Sequence, residues 1–417
     1  MKKALVIGSG AVGLSSAYYL NQAGFEVEVI SADSANDSKG CSFGNAGMIV
    51  PSHFTPLAAP GVIREGMKWL LNPRSPLYIK PRLNSDFLSW MWHFIRSSNA
   101  ENVERSSASL LRMNQESRDL FEQIEKQEGL DYRYKKGGLM MLYKSAHHQD
   151  EEEHMADMAK SYGLEVEVLD KEAMRLHENK LKADVLGGVW YKSDAHIIPQ
   201  EFMIQMIACL QKKGVGFTFN SKVLSFDVKD NKVKGIKTST GFYEADEIVV
   251  CTGSWSQELV KGLNINLPIQ GGKGYHLHIK DVPLQMNTPS ILCEARVAIT
   301  PMERDLRVSG TMEFGGLNLN INKKRVEGIE QSVGKYFEAF DEGWFKGIEP
   351  WAGLRPVSPD GLPYIGRFHG FKNLSFNTGH AMMGLSLAPI SGKLLTQLLL
   401  GTEHDYNLNI FSPNRFS

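Results

Sequence analysis

The sequence predicts an α/β fold that opens on a dinucleotide-binding βαβ unit. Three observations carry that reading. Residues 4–8, "ALVIG", form a short β-rich apolar run. Gly8-x-Gly10-x-x-Gly13 follows at once and leads into "GAVGLSSAYYLNQAG", whose apolar residues recur at helical spacing up to Gly24 as a stop. "EVEVI" (26–30) then alternates as a second strand.

Each glycine has a separate task. Gly8 permits the tight turn, Gly10 lets a pyrophosphate approach the backbone, and Gly13 lets the helix pack on the strand. The phosphates are expected at the helix N-terminus, where free N–H groups and the dipole favour anions. Such a second strand normally ends in Asp or Glu, which holds the adenosine ribose. Here it ends in Ser31, and the nearest acid is Asp33. A 2′-phosphate would want Arg or Lys, and "SADSANDS" (31–38) has neither, which argues against NADP. Asp33, or Ser31 through a water, serves free ribose hydroxyls in one reading; in the other, Asp33 is an ordinary loop acid.

Bulk properties exclude several classes. The chain has 417 residues, enough for two domains, with 46 Lys+Arg against 47 Asp+Glu and no basic stripe, so no nucleic-acid partner is expected. Cys41, Cys209, Cys251 and Cys293 are scattered without a CxxC pair. No disulfide framework or metal site is expected, and a reducing compartment suits this pattern. "MKKALVIGSGAVGL" looks like a signal peptide at first, but its glycine spacing and the helix that follows mark a buried, uncleaved strand. No run reaches the roughly 18 apolar residues of a membrane span, so a soluble or peripheral, cytoplasmic protein is expected.

Loops rich in Pro and Gly run from 44 to 84, with a short helix near "VIREGMKWLL", and helices dominate 86–128. "KKGGLMMLYKS" (135–145) reads as strand away from the first sheet, and "HQDEEEHMADMAKSYG" as a solvated helix. Strand, loop, long helix and strand follow from 187. A β-meander with turns at "KDNK" and Ser239–Gly241 closes in "EIVVCTG". Residues 262–345 read as strand-rich, and "NLSFNTGHAMMGLSLAPISGKLLTQLLL" as strand, glycine turn and long helix.

Three stretches favour FAD over NAD. "CSFGNAGMIVPS" (41–52) supplies small residues and an Asn where a flat ring needs close backbone. "VVCTGSWS" (249–256) is a buried strand ending in Thr-Gly-Ser. "FNTGHAMMG" (376–384) opens a helix, and a helix N-terminus suits the pyrimidine end of a flavin.

"VIGSGAVGLSSAYYLNQAGFEVEVI", "GNAGMIVPSHFTPLAAPGV", "LPIQGGKGYHLHI", "AGLRPVSPDGLPYIG" and "NTGHAMMGLSLAPISGKLL" together resemble the D-amino acid dehydrogenase small subunits. These stand within the glycine oxidase and D-amino acid oxidase superfamily of FAD-dependent amine oxidoreductases. The resemblance runs nearly end to end; Ser31 and Met48 depart from it. It implies an α/β (α+β overall) fold. A Rossmann-type FAD-binding domain, 1–85, 187–261 and 346–417, is interleaved with a substrate domain, 86–186 and 262–345, built on a mixed or antiparallel sheet plus helices. Cofactor contacts are expected from Gly8, Gly10, Gly13, Ser31, Asp33, Ser42, Asn45, Ala46, Gly47, Met48, Val223, Gly253, Gly353, Gly379, His380, Met383 and Gly384. "WAGLRPVSPDGLPYIG" holds no cysteine, so the FAD is expected to be non-covalent, with Cys41 a remote alternative.

Arg355 in "GLRP" is the expected carboxylate clamp, because a guanidinium fork holds an α-carboxylate bidentately and fixes Cα over the ring. The resemblance puts the family's carboxylate-binding arginine there. The reaction needs a neutral amine, which desolvation favours, and no dedicated base. The resemblance puts Tyr275 at a strand start facing the substrate, with a core tyrosine the alternative; Lys273 is expected to approach the flavin or, the favoured reading, to cap a loop. His53 and His196 sit in loops expected near the ring, where a lone histidine is more often structural.

The expected activity is oxidative deamination of a D-amino acid to a 2-oxo acid and ammonia, with electrons passed to a quinone or electron-transfer protein. Dehydrogenation of D-proline or hydroxy-D-proline, and a peroxide-forming glycine or sarcosine oxidase, are the alternatives. An inactive flavin-bound partner subunit and a plain NAD dehydrogenase fit the motifs less well. Residues 66–98 mix aromatics with Lys68, Arg74, Lys80, Arg82 and Arg96. That suits a peripheral contact on the inner face of the cell membrane, or, the favoured reading, a helix buried on one face.

Overall fold

The computed structural model describes residues 1–35, 40–69, 72, 74–177, 182–283, 286–340 and 342–417. The opening strand, Lys3–Ile7, is central in a six-stranded sheet. It is flanked on one side by Glu26–Ile30 and Gly216–Thr218, and on the other by Glu247–Val250, Leu374–Thr378 and Tyr364–Arg367. Five strands are parallel and Tyr364–Arg367 runs against them. All the parallel strands end on one edge, and the chain diverges to both sides of Lys3–Ile7 there. A doubly wound sheet binds ligands in the crevice at such a point.

Helix Ala11–Gln22 returns across this sheet and meets helix Ala388–Leu400 very closely: a Cβ on Gly392 would lie 2.6 Å from the Ser15 backbone. Gly24, at φ 85°, ends the first helix as its spacing predicts. Asp230 and Asn231 both adopt positive φ in the expected "KDNK" hairpin turn. Asn84, Asn99 and Ser145 cap the helices Ser85–Ser97, Ala100–Glu128 and Ala146–Ser161 with their side-chain oxygens.

A second, nine-stranded mixed sheet holds Trp351–Val357, Gln270–Ile279, Asp305–Phe314, Val297–Met302, Ser290–Leu292, Leu139–Tyr143, Gly187–Tyr191 and Val166–Asp170 in that order, with Leu77–Ile79 beside the third. Three of these, 77–79, 187–191 and 351–357, were grouped by sequence with the FAD-binding segments. Pairing places them in the second sheet because each registers against a strand of it: Leu77 with Met312, Gly187 with Tyr143, Leu354 with Lys273. Residues 262–345 also contain a 14-residue helix, Lys323–Tyr336. It buries Val326, Ile329 and Val333 against the sheet, a helical spacing masked by two glycines and β-branched residues.

The long helix Ala100–Glu128 ties the two regions together. Its inner face alternates apolar residues such as Met113 and Phe121 with buried polar ones. Ser117 Oγ donates to the Ser386 carbonyl (2.6 Å), Ser386 Oγ donates to Asn114 Oδ1 (2.9 Å), and Val50 N–H donates to Ser386 Oγ (3.1 Å). One polar cluster thereby fixes both the loop near residue 50 and the start of the last helix.

Helix Ser85–Ser97 buries Phe87 and Trp90, as the favoured reading of 66–98 has it. Its other side leaves Leu88, Trp92 and Ile95 about half exposed, with Leu83 almost fully so. Among the described residues, no helix is long and apolar enough to cross a membrane.

Candidate active site

The glycine turn is as tight as its spacing implies. Gly8 has φ 111°, and a Cβ there would lie 2.6 Å from the Cys251 carbonyl oxygen. A Cβ on Gly13 would stand 1.9 Å from Gly8 O, so the helix seats directly on the turn. Gly10 is the N-cap and offers no side chain, and the first-turn N–H groups of a helix have no intrahelical acceptors. Ser42 Oγ accepts from Ala11 N–H at 3.0 Å, which brings the 40–47 loop to this helix end. Ser31 is buried at the tip of its strand, where its Oγ accepts from Ser9 Oγ (2.7 Å) and from Asp33 N–H (3.2 Å). Asp33 O in turn accepts from Asn220 N–H. Residues 36–38 of "SADSANDS" lie outside the described residues.

The 44–48 loop lies on one face of the second sheet. Gly44 O accepts from His276 Nδ1–H at 3.0 Å, which sets the histidine tautomer, and Asn45 O accepts from Arg307 Nη1 at 2.6 Å. Asn45 Oδ1 takes the Gly47 N–H (2.8 Å). Gly47 has φ 83°, with Ile197 O where a Cβ would stand (2.3 Å). Ala46 packs on the main core, and Met48 pairs with His196. The Trp351 indole lies against Gly44 and Gly353 so closely that a Cβ on either would enter its ring, and it stacks on His276 at 4.8 Å. Gly353 is thus a seat for Trp351. Trp351, His276 and Arg307 were missed by motif reading; the available signal was polar residues recurring at period two in strands, a pattern that ordinarily marks a solvated face.

Arg355 reaches the same face. Its guanidinium lies flat on Gly274, where a Cβ would stand 2.1 Å from Nη1, and Nη1 donates to Thr311 O at 2.7 Å. Thr311 occupies a bulge in the Asp305–Phe314 strand and has φ 71°, which turns its carbonyl to the arginine. No carboxylate among the described residues pairs with Arg355. Burial holds it below its ordinary pKa, partly offset by the nearby Cys41 thiol.

Tyr275 is not brought to Arg355. Strand alternation puts it on the opposite face, packed in the cluster of Ile329 and Val333, with its hydroxyl donating to Glu313 Oε2 (2.7 Å). It lies in mid-strand, not at a strand start. Lys273 shares that face, is buried, and pairs with Glu313 (3.0 Å) while donating to Asn320 O (2.7 Å) in a loop.

His53 contacts Ser52, whose hydroxyl donates to the buried Asp194 (2.5 Å). His196 is buried on the two-stranded ribbon beside Met48, and its Nδ1 has no hydrogen-bond partner. Gly253 (φ 55°) and Gly379 (φ 80°) turn the chain at the ends of their strands, on the edge of the first sheet where Gly8 lies. His380 turns inward to Ser391 Oγ (2.9 Å). Met383 and Gly384 belong to a short 3-10 turn, Ala381–Gly384, and the helix starts only at Ala388 because Pro389 sets its first turn. Val223 begins the meander strand Val223–Lys229 and packs in the core beneath it, apart from the 44–48 loop.

Burial drives His53 and His196 to about 4, and His276 and His380 to about 3. Between those values and the ordinary 6.5 the unfolded chain takes up four protons that the folded one refuses, so stability falls as the pH falls. Asp194, raised by burial from 3.8 to about 7, holds a proton in the fold and opposes this with one. These groups should therefore lower stability by up to about 3–4 kcal/mol per pH unit between pH 6 and 5. Urea midpoints measured across that range should drop on acidification; a flat or rising profile would contradict the neutral imidazoles.

The side-chain-free helix N-terminus at Gly10, the cradles a Cβ would fill at Gly8 and Gly13, and the polar tip at Ser31 fit a dinucleotide. Comparisons agree. The family described as FAD dependent oxidoreductase matches residues 3–398. The chain is 31% identical over 417 residues to a D-amino acid dehydrogenase of Vibrio atlanticus (strain LGP32), covering 99% of both. It is 32% identical over 410 residues to one of Granulibacter bethesdensis, covering 96% of both. Its fold matches glycine oxidase from Geobacillus kaustophilus (TM-score 0.77, 18% identity, 100% and 99% covered) and L-proline dehydrogenase from P. horikoshii (TM-score 0.74, 17%, 100% and 97%).

Proposed function

The chain belongs to the FAD dependent oxidoreductase family, and on that premise we propose that it oxidises a D-amino acid at Cα–N to an imine, which water converts to a 2-oxo acid and ammonia. The D-amino acid dehydrogenases at about 31% identity over the full length support that substrate class. One observation carries the chemistry: Arg355, with no carboxylate partner among the described residues, shares a sheet face with the 44–48 loop. FAD, when bound, takes the hydride from Cα.

The protein's own part is positioning. Arg355 grips the substrate carboxylate with its fork, and Thr311 O and the flat Gly274 backbone hold that fork in one orientation. The amine must shed a proton before it reacts, and a dehydrated site beside a guanidinium lowers the amine pKa. The proposed cofactor contacts are Gly8, Gly10, Gly13 and Ser42 at the phosphates, Ser31 and Asp33 at the ribose, and residues 45–48 at the ring.

Incubation with D- and L-alanine, D-proline and glycine, with a quinone analogue under nitrogen or in air alone, tests this. The D-amino acid should yield 2-oxo acid and ammonia in equal amounts with the quinone. Turnover of D-proline alone, or peroxide from glycine, would instead support the imino-acid or oxidase reading.

A quinone acceptor requires a membrane contact, which we place at Leu83, Leu88, Trp92 and Ile95 on the inner face of the cell membrane. Leu88, Trp92 and Ile95 recur at i, i+4 and i+7, and the exposed Arg96 stacks on Trp92 at 4.7 Å. Replacing Leu88, Trp92 and Ile95 by serine should lower flotation with phosphatidylglycerol vesicles at least tenfold and leave turnover with a soluble acceptor unchanged. Equal flotation of variant and parent would contradict the contact.

A further inference from the structure

Among the described residues, Arg307 is a deeply buried charge with little to account for it. It lies on the Asp305–Phe314 strand between Thr300 and His278, is 1% exposed, and has an Nε without a hydrogen-bond partner. No carboxylate among the described residues pairs with it. A buried cation kept without a counter-ion is costly and persists only where something else offsets it. Burial lowers its pKa only to about 10, so it stays charged at neutral pH. His276 beside it is neutral, pushed to about 3 by burial and by Arg307 itself. The hydroxyls of Thr300 and Ser309, on the same face, also lack partners.

The one hydrogen bond of its guanidinium among the described residues is to Asn45 O, 2.6 Å away. A trans peptide points its N–H opposite to its carbonyl. Drawing the Asn45 carbonyl down to the sheet therefore turns the Ala46 N–H outward, to the side where the cofactor ring is expected. The same pull polarises that peptide.

We propose that Arg307 is a positioning residue for FAD: it aims and polarises the Ala46 N–H at the ring, and its charge favours the reduced cofactor. This rests on the FAD reading above. The reduced ring carries added negative charge, so a fixed cation behind the loop stabilises it more than the oxidised ring.

The test is the two-electron midpoint potential of the holoenzyme, read by anaerobic dye equilibration, for the parent, Arg307→Lys, Arg307→Gln and Arg307→Met. Gln keeps a donor for Asn45 O and loses the charge; Lys keeps the charge. Gln and Met should shift the reduction equilibrium at least tenfold toward oxidised, about 30 mV for a two-electron couple, and Lys should stay within threefold of the parent. Unchanged potentials in Gln and Met would overturn the proposal, as would a Lys variant displaced as far as Met, which would mark a purely structural role. If Met fails to retain FAD, Lys and Gln still decide. A parent protein without FAD would fail the cofactor reading instead, a separate outcome.

Discussion

Exchanging Arg355 for lysine should leave FAD bound and the fold intact, and lower kcat/KM for a D-amino acid roughly 30- to 150-fold. That corresponds to about 2–3 kcal/mol of lost transition-state binding. Lysine keeps the charge but presents a point donor on a flexible stem, where the guanidinium offers a planar fork. The fork is held by its fit on Gly274 and its bond to Thr311 O, and an ammonium cannot reproduce both. The loss should appear in kcat as well as KM, because orientation of Cα as well as affinity is lost. Stopped-flow reduction under nitrogen separates the two, and a parent-like rate in the variant would remove Arg355 from substrate binding.

Gly13→Ala should be the most damaging small change in the molecule. The new methyl would stand 1.9 Å from the Gly8 carbonyl oxygen, a backbone atom that cannot turn aside. Helix and turn must separate, at a cost of about 3 kcal/mol or more, and FAD binding goes with them. Gly10→Ala is the informative control. Its methyl meets only Ser42 Oγ, at 3.3 Å, so the fold should survive while a phosphate is kept off the helix end. Denaturant midpoints of the FAD-free proteins should fall for Gly13→Ala and hold for Gly10→Ala, with flavin content as purified reduced in both. Parent-like flavin content in Gly10→Ala would place the phosphates elsewhere.

The opening βαβ unit was legible because three glycines, a helical period and an alternating strand agree within thirty residues. Arg355 was singled out by its motif, and it lies on the sheet face that also holds the 44–48 loop. What failed to show was sheet membership and sheet face. A run such as "WAGLRPV" reads as strand but does not say which sheet it joins; its register against Gln270–Ile279 decides that. Nor does alternation alone fix which residues of "GGKGYHL" face the site. The bulge at Thr311 and the pairing of Gly272 with Arg355 put Gly272 and Gly274 on that face, and Gly271 and Tyr275 on the other. Arg307 and His276 escaped because polar residues in a strand ordinarily mark solvent, and here they anchor a loop.

The central claim is that FAD in this chain accepts electrons directly from an amino acid held by Arg355. The visible spectrum of the purified protein under nitrogen, before and after addition of a D-amino acid, tests it most directly. The account predicts a flavin band that bleaches with the D-amino acid and persists with its L-enantiomer. A yellow protein that no amino or imino acid bleaches would contradict it.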